Sequence, residues 1–434
     1  MDAALNAPRP RYSFARGGAG RIMVAVGALG FASGLPYMLV TDGIAFWLAD
    51  ANVPLEQIGL LALVTMPYAL KFLWAPLLDR YPVPLLGALG RRRGWLVALQ
   101  VACAVALAAV AMTGPEGASP DRWSWLPFAV VGLSLSIISA SLDIVIDAYR
   151  TDALPTWAYG PGASVYVAGY RIASMAGGSL MFLIAARAGW SAAFVGMGVL
   201  MGLTMVATLL SSEPEVRGAP ATLGEALVGP LRSFARAWGM WLPAVVVFVL
   251  LYRLPDLAGN RMVAPLLKER GYTLEEIALV RQHLGFAVTI VGALAGGWVV
   301  ARIGIARCLL LFGILQAASN GAYALLASVP HSMLHFAVAV VVENGCNGLV
   351  AATFTAYLMS LCDHRYSAAQ YALLSGLMFL GGAIASAASG FIADRSGMAS
   401  YYWITVAVGL PGIAMVPLML WVRRRRDAAQ LASA

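Results

Sequence analysis

Asp143 and Asp147, in the stretch SLDIVIDAYRTDAL (141–154), are four residues apart, and Arg150 follows three later. On a helix those spacings stack two carboxylates and a guanidinium on one stripe. The sequence around them is apolar, and a charge near the centre of a membrane helix costs roughly 2.5–3.5 kcal/mol. That cost is tolerated when the group pairs with another or faces a water-filled cavity. Asp42, Lys71, Asp143, Asp147, Arg171, Arg253, Asp256, Arg261 and Glu343 all fall at or near such depth. Their chemistry is ion pairing that locks helices, capture of an ionic ligand, or proton exchange.

The elements that must position them are long apolar helices. The 434 residues are 60% hydrophobic and 12% charged, where a soluble chain carries about a quarter charged residues. Twelve apolar stretches are each long enough to cross a bilayer: 22–48, 57–78, 95–113, 125–148, 164–186, 190–210, 240–259, 277–301, 305–327, 334–360, 368–393 and 400–422. The expectation is an all-α polytopic membrane protein.

Residues 1–21 read as a cytoplasmic tail, since no small-residue cleavage site follows them. With this tail inside, 19 Lys and Arg fall in cytoplasmic segments, five on the other side and five in or at the edge of helices. Both termini are therefore expected in the cytoplasm. The +8 formal charge then reflects membrane orientation, so no nucleic-acid partner is expected. Cys103, Cys308, Cys346 and Cys362 lack metal-site spacing and are expected as free thiols.

Residues 35–60 align without a gap on residues 254–279, with eight of 26 positions identical. Leu35–Pro36 falls on Leu254–Pro255, and both copies lead into a Leu-Glu-x-Ile helix start. Duplicated six-helix halves are expected at 22–210 and 240–422, joined by a cytoplasmic linker at 211–239 and followed by a tail at 423–434.

LKFLWAPLLDRY (70–81) followed by GRRRGW (90–95) resembles the acidic-then-basic loop signature of the major facilitator superfamily. The resemblance implies a cytoplasmic latch with Asp79, Arg80, Asp147 and Arg150 as gate residues. GFASGLPYMLVTDGIAFWL (30–48), LKFLWAPLLDRY, GRRRGWL (90–96), SLDIVIDAYRTDAL and GYRIASMAGG (169–178) together resemble the AmpG-type muropeptide permeases. The likeness is dense in the first half and thin in the second.

That resemblance implies an inner-membrane importer of N-acetylglucosaminyl-1,6-anhydro-N-acetylmuramyl peptides for peptidoglycan recycling, driven by the proton gradient and without a cofactor. The expected partners are an anionic glycopeptide and the lipid bilayer, and a monomer is expected. Lys71, Arg171, Arg253 and Arg261 could hold the carboxylates of such a cargo, Lys71 foremost. Tyr37, Trp47, Tyr68, Trp74, Tyr170 and Tyr371 offer faces for sugar rings, with Tyr170 favoured beside Arg171. Asp42, Asp143, Asp256 and Glu343 are proton-coupling candidates by depth. Asp256 is expected to pair with Arg253, whereas Glu343 has no evident partner. The 219-residue shift also places Asp42 on Arg261, a pair expected to close the outer mouth.

Three other readings remain open at this point: a transporter of another bulky anion, such as an acyl-CoA-like molecule or a siderophore, a membrane-embedded lipid- or sugar-modifying enzyme, and a permease-derived sensor. No phosphate loop, nucleophile elbow or metalloprotease motif appears, which argues against ATP-driven pumping, and the cytoplasmic loops hold no His/Asp or metal constellation, which argues against an enzyme. His331 and His335 are four apart but lack a third ligand, so no metal site is expected. Gly198-x-x-x-Gly202 and Gly292-x-x-x-Gly296 are close-packing motifs for helices.

Overall fold

The chain carries its hydrophobic residues all round its helices. A computed structural model describes residues 18–51, 64–84, 86–115, 126–214 and 222–433. Nine helical stretches among them are long and apolar enough to cross a membrane. Four of these, at 20–48, 156–210, 224–269 and 275–303, each run through more than one helix. Residues 57–63 of the expected span at 57–78 and the tail before Gly18 lie outside the described residues.

A first group opens with α1 (Gly18–Met38), which passes through a π turn (Leu39–Gly43) into α2 (Ile44–Asp50). Next, α3 (Met66–Leu70) and α4 (Ala75–Arg80) flank a 3-10 turn at Lys71–Leu73. Then come α5 (Arg91–Met112), α6 (Leu126–Ala153), α7 (Tyr159–Met175) and α8 (Met181–Leu210). A second π turn, Ala176–Leu180, joins α7 to α8.

The expected linker at 211–239 contains α9 (Leu223–Trp238). Thr222 caps it by accepting from Glu225 N at 3.1 Å, and the Thr-x-x-Glu spacing is the sequence signature of that start. The second group comprises α10 (Leu242–Tyr252), α11 (Leu254–Glu269), α12 (Leu274–Ile277) and α13 (Gly285–Ile303). It ends with α14 (Ile305–Leu326), α15 (Met333–Leu361), α16 (Ser367–Ser396) and α17 (Met398–Ser433).

The two Leu-Pro copies differ. Pro36 lies inside α1, whereas Pro255 opens α11 after a break at Arg253. Proline has no N–H to give to an i→i−4 bond; at Pro255 the chain meets that lack by starting a new helix there.

Within the first group α1 packs on α7, and α5 on α6 and α8; within the second, α13 packs on α15 and α14 on α17. Gly292 and Gly296 face the backbone of α15 at Gly345 and Leu349. In the other glycine motif, Gly198 approaches α5 while Gly202 has open space. Exposed side chains such as Val105, Leu203, Val291 and Trp298 form apolar outer faces, as lipid contact requires.

The groups meet through α7 on α13 and α15, and through α3, α4 and α6 on α16. These contacts lie toward the arginine-rich end: Gly160 approaches Val300 and Gly297, and Arg92 reaches Ser367. At the opposite end, where α2 and α11 lie, no comparable packing joins the groups among the described residues.

Candidate functional site

Three charged clusters lie along the seam between the two groups. The one nearest the arginine-rich end is centred on Arg92, whose side chain is fully buried. Its guanidinium donates to Asp79 Oδ1 at 2.8 Å, Asp152 Oδ2 at 3.0 Å and Ser367 Oγ at 2.9 Å. Asp79 also accepts from the backbone N–H groups of Ala368 and Ala369, at 3.3 and 2.9 Å. A carboxylate from the first group thus caps the N-terminus of α16 in the second, where the helix dipole favours negative charge. His364 Nδ1 lies 3.6 Å from Asp152 Oδ1. That carboxylate and the charge of Asp363 hold His364 above the usual histidine range. Arg91 donates to the backbone carbonyl of Asp79, and Arg80 lies over the Tyr81 ring.

Deeper in, Lys71 lies 2.9 Å from Asp143 and 3.5 Å from Asp147. Arg150 donates to Asp147 at 2.7 Å and to the hydroxyl of Tyr371 in α16. Its guanidinium also stacks over Tyr166 at 4.1 Å and Tyr371 at 4.7 Å. The Asp143-Asp147-Arg150 stripe is therefore one ionic network, and Arg150 carries it across to the second group. Two cations face two carboxylates there, so the buried network is formally neutral, as low-dielectric surroundings demand.

Lys71 is 1% exposed, and its place in this network leaves it turned into the first group. Trp47 is likewise 1% exposed, packed among Phe128, Trp190 and Phe194; its large ring fills the core of the first group. Tyr68 is buried and donates to Ser139 at 2.7 Å, and Trp74 donates to Ser141 at 3.0 Å.

The third cluster is partly open. Tyr37 and Tyr170 are half-buried, with ring centroids 6.4 Å apart. Arg171 follows Tyr170 and donates to Asn347 of α15 at 3.4 Å, so a guanidinium from the first group touches the second. Arg253 lies 3.2 Å from Asp256, and its charge acts on Arg171. Glu343 accepts from Asn260 at 3.3 Å. Arg171 of the first group, next to Tyr170, and Arg253 of the second supply guanidinium groups from opposite sides, chemistry suited to a carboxylate on a ring-bearing ligand.

Asp42 and Arg261 are both exposed, and no ion pair joins them. They flank the end where the groups do not pack. Sequence reasoning missed Tyr166 and Ser33: Ser33 Oγ donates to Asp143 and lies 2.9 Å from Tyr166 Oη. The only signal for Tyr166 was its i,i+4 spacing to Tyr170. His331 lies 3.4 Å from Glu276, and no group of metal-ligating residues occurs among the described residues.

The family model described as Major Facilitator Superfamily matches residues 18–386 and 286–434. The chain is 38% identical to the anhydromuropeptide permease of Escherichia coli K12 over 391 residues, covering 89% of this chain and 77% of that one. It is 25% identical to a putative transporter AmpG 4 of Rickettsia felis, over 89% and 93% of the two chains. Among solved structures it superposes on a proton:xylose symporter, XylE, with a TM-score of 0.67 at 14% identity, covering 91% and 94% of the two chains. The human organic anion transporter MFSD10 superposes with a TM-score of 0.65, also at 14% identity, over 92% and 99%. These last two likenesses concern the fold alone. The chain is a multi-pass membrane protein of the major facilitator superfamily and belongs within it to the anhydromuropeptide permease family.

Proposed function

We propose that the protein imports anhydromuropeptides across the inner membrane in symport with protons. The observation that carries the substrate is the 38% identity, over nearly the whole chain, to a protein named anhydromuropeptide permease. The third cluster supports it chemically: Arg171 and Arg253 suit the stem-peptide carboxylates, and Tyr37 and Tyr170 suit the sugar rings. The arginine-rich end, with both termini, is cytoplasmic by the excess of Lys and Arg in its segments. On that reading the ionic clusters of Arg92 and Arg150 close the cytoplasmic side, and the conformation described here opens outward.

Asp42 and Arg261 then stand apart because the outer mouth is open, and they pair as it closes. Uptake of labelled anhydromuropeptide into inside-in vesicles tests the proposal. It is expected to collapse with a protonophore and to persist through ATP depletion while the gradient is held. Uptake that survives full loss of the gradient removes the symport claim, and no uptake at all removes the substrate.

A further inference from the structure

We propose that Glu343 is the group that carries the transported proton, and that it is coupled to cargo through competition for Arg171. This deepens the reading above and rests on it. The acids at membrane depth divide by their partners. Asp143 and Asp147 share Lys71, and Asp147 also holds Arg150. Asp256 faces Arg253 at 3.2 Å, and Asp42 is exposed. Glu343 differs from all of these: it is 4% exposed and its hydrogen bond comes from a neutral amide, Asn260 Nδ2 at 3.3 Å. No cation is in ion-pair contact with it among the described residues. A buried carboxylate without a counterion is poorly tolerated as an anion.

The groups facing it come from five helical segments. Asp256 and Asn260 stand on α11, Arg281 on the turn before α13, Tyr323 on α14, Tyr402 on α17 and Arg171 on α7. Arg171 comes from the first helix group. It donates to Asn347, which lies one turn from Glu343 on the same face of α15. A small swing along that face takes the guanidinium toward Glu343 or away from it.

A cargo carboxylate entering from the open side draws Arg171 to itself. Glu343 loses the positive charge of Arg171, while Arg281 stays in place, and takes a proton from water on that side. When the cargo leaves at the other side, Arg171 returns and the proton passes to water there. The O–H bond made on one side of the membrane is the one broken on the other, so charge and protons balance over the cycle.

The test uses purified full-length protein and a GlcNAc-anhydroMurNAc tripeptide. The liganded state binds one more proton, so wild-type affinity is expected to fall by up to about tenfold per pH unit as pH rises. Binding should draw one proton from a lightly buffered dye solution. Glu343→Gln should bind with pH-independent affinity, take up no proton and lose gradient-driven accumulation; Glu343→Asp should keep a pH-dependent affinity. Glu343→Gln with the wild-type pH slope and proton uptake overturns the assignment. If the wild type binds no anhydromuropeptide, the functional reading fails instead, and infrared spectra still decide the proton site. A protonated-carboxyl stretch that titrates in the wild type and vanishes in Glu343→Gln supports the assignment, and an unchanged band overturns it.

Discussion

Lys71 Nζ stands 2.9 Å from Asp143 and 3.5 Å from Asp147, so one lysine from the 3-10 turn serves both carboxylates of the α6 stripe. Lys71→Gln leaves Asp147 to Arg150 alone and Asp143 without a cation among the described residues, and removing one partner of a buried pair costs about 3–5 kcal/mol. The expected result is lower thermal stability and an equal loss of uptake for stem-bearing and peptide-free cargo. Adding Asp143→Asn should restore part of both. A loss confined to cargo with the stem peptide would instead make Lys71 a substrate ligand.

Arg92 bridges Asp79, Asp152 and Ser367. Removing it leaves two facing carboxylates, whereas Asp79→Asn loses one charge and weakens a cap worth about 0.5–2 kcal/mol. Arg92→Gln should therefore expose a cysteine placed near the start of α16 to labelling more than Asp79→Asn does. The opposite order would show that the cap, not the bridge, holds this end shut.

The His364–Asp152 contact gives this closure a pH dependence. His364 titrates above its ordinary value while the contact exists, so its contribution is full below the ordinary histidine range. The contribution is lost as pH rises through the raised value. His364 is more than half exposed, so the effect is limited to about 1 kcal/mol or less. Labelling at the arginine-rich end is expected to rise a few-fold as pH increases, and His364→Ala should flatten that rise. A rise of the same size in His364→Ala would remove the histidine from the closure.

Two neighbouring glycines make a contrast. A Cβ on Gly297 would meet Gly160 O of the other group at 2.7 Å, while one on Gly292 would press on the backbone of α15 in its own group. Gly297→Ala should open the arginine-rich end with little loss of thermal stability. Gly292→Ala should lower stability in every conformation. Equal melting shifts for the two would mean the α7–α13 approach is not specific to the closed state.

Asp42 and Arg261 are exposed and unjoined here. Cysteines at these two positions should crosslink only under conditions that open the arginine-rich end, and the exchange Asp42→Arg with Arg261→Asp should recover part of the activity lost in either single change. Crosslinking that does not depend on conformation would exclude a gate role.

The placement of Trp47 and Lys71 marks where sequence reading ran out. Both are the residue types a glycopeptide site would use, and both lie in expected spans. Whether such a side chain turns into its own bundle or toward the seam depends on the neighbour it meets. For Lys71 those neighbours are 72 and 76 residues away; for Asp79 the cap lies 289 and 290 residues on. Glu343 was legible as an acid without a partner because its helix neighbours are apolar or amide. Its relation to Arg171 was not, since the two stand in different helix groups.

The sequence by itself determined the helices, since an apolar run about 20 residues long has one stable answer in lipid, where every backbone polar group must be satisfied within its own segment. It also determined which charges lie deep and, through Gly292 and Gly296, one close helix contact. The tertiary structure alone decided which charges neutralise one another and which stay open. Ion pairing acts over a few ångströms in a low-dielectric interior, and only the packing of α6, α7, α15 and α16 sets those distances.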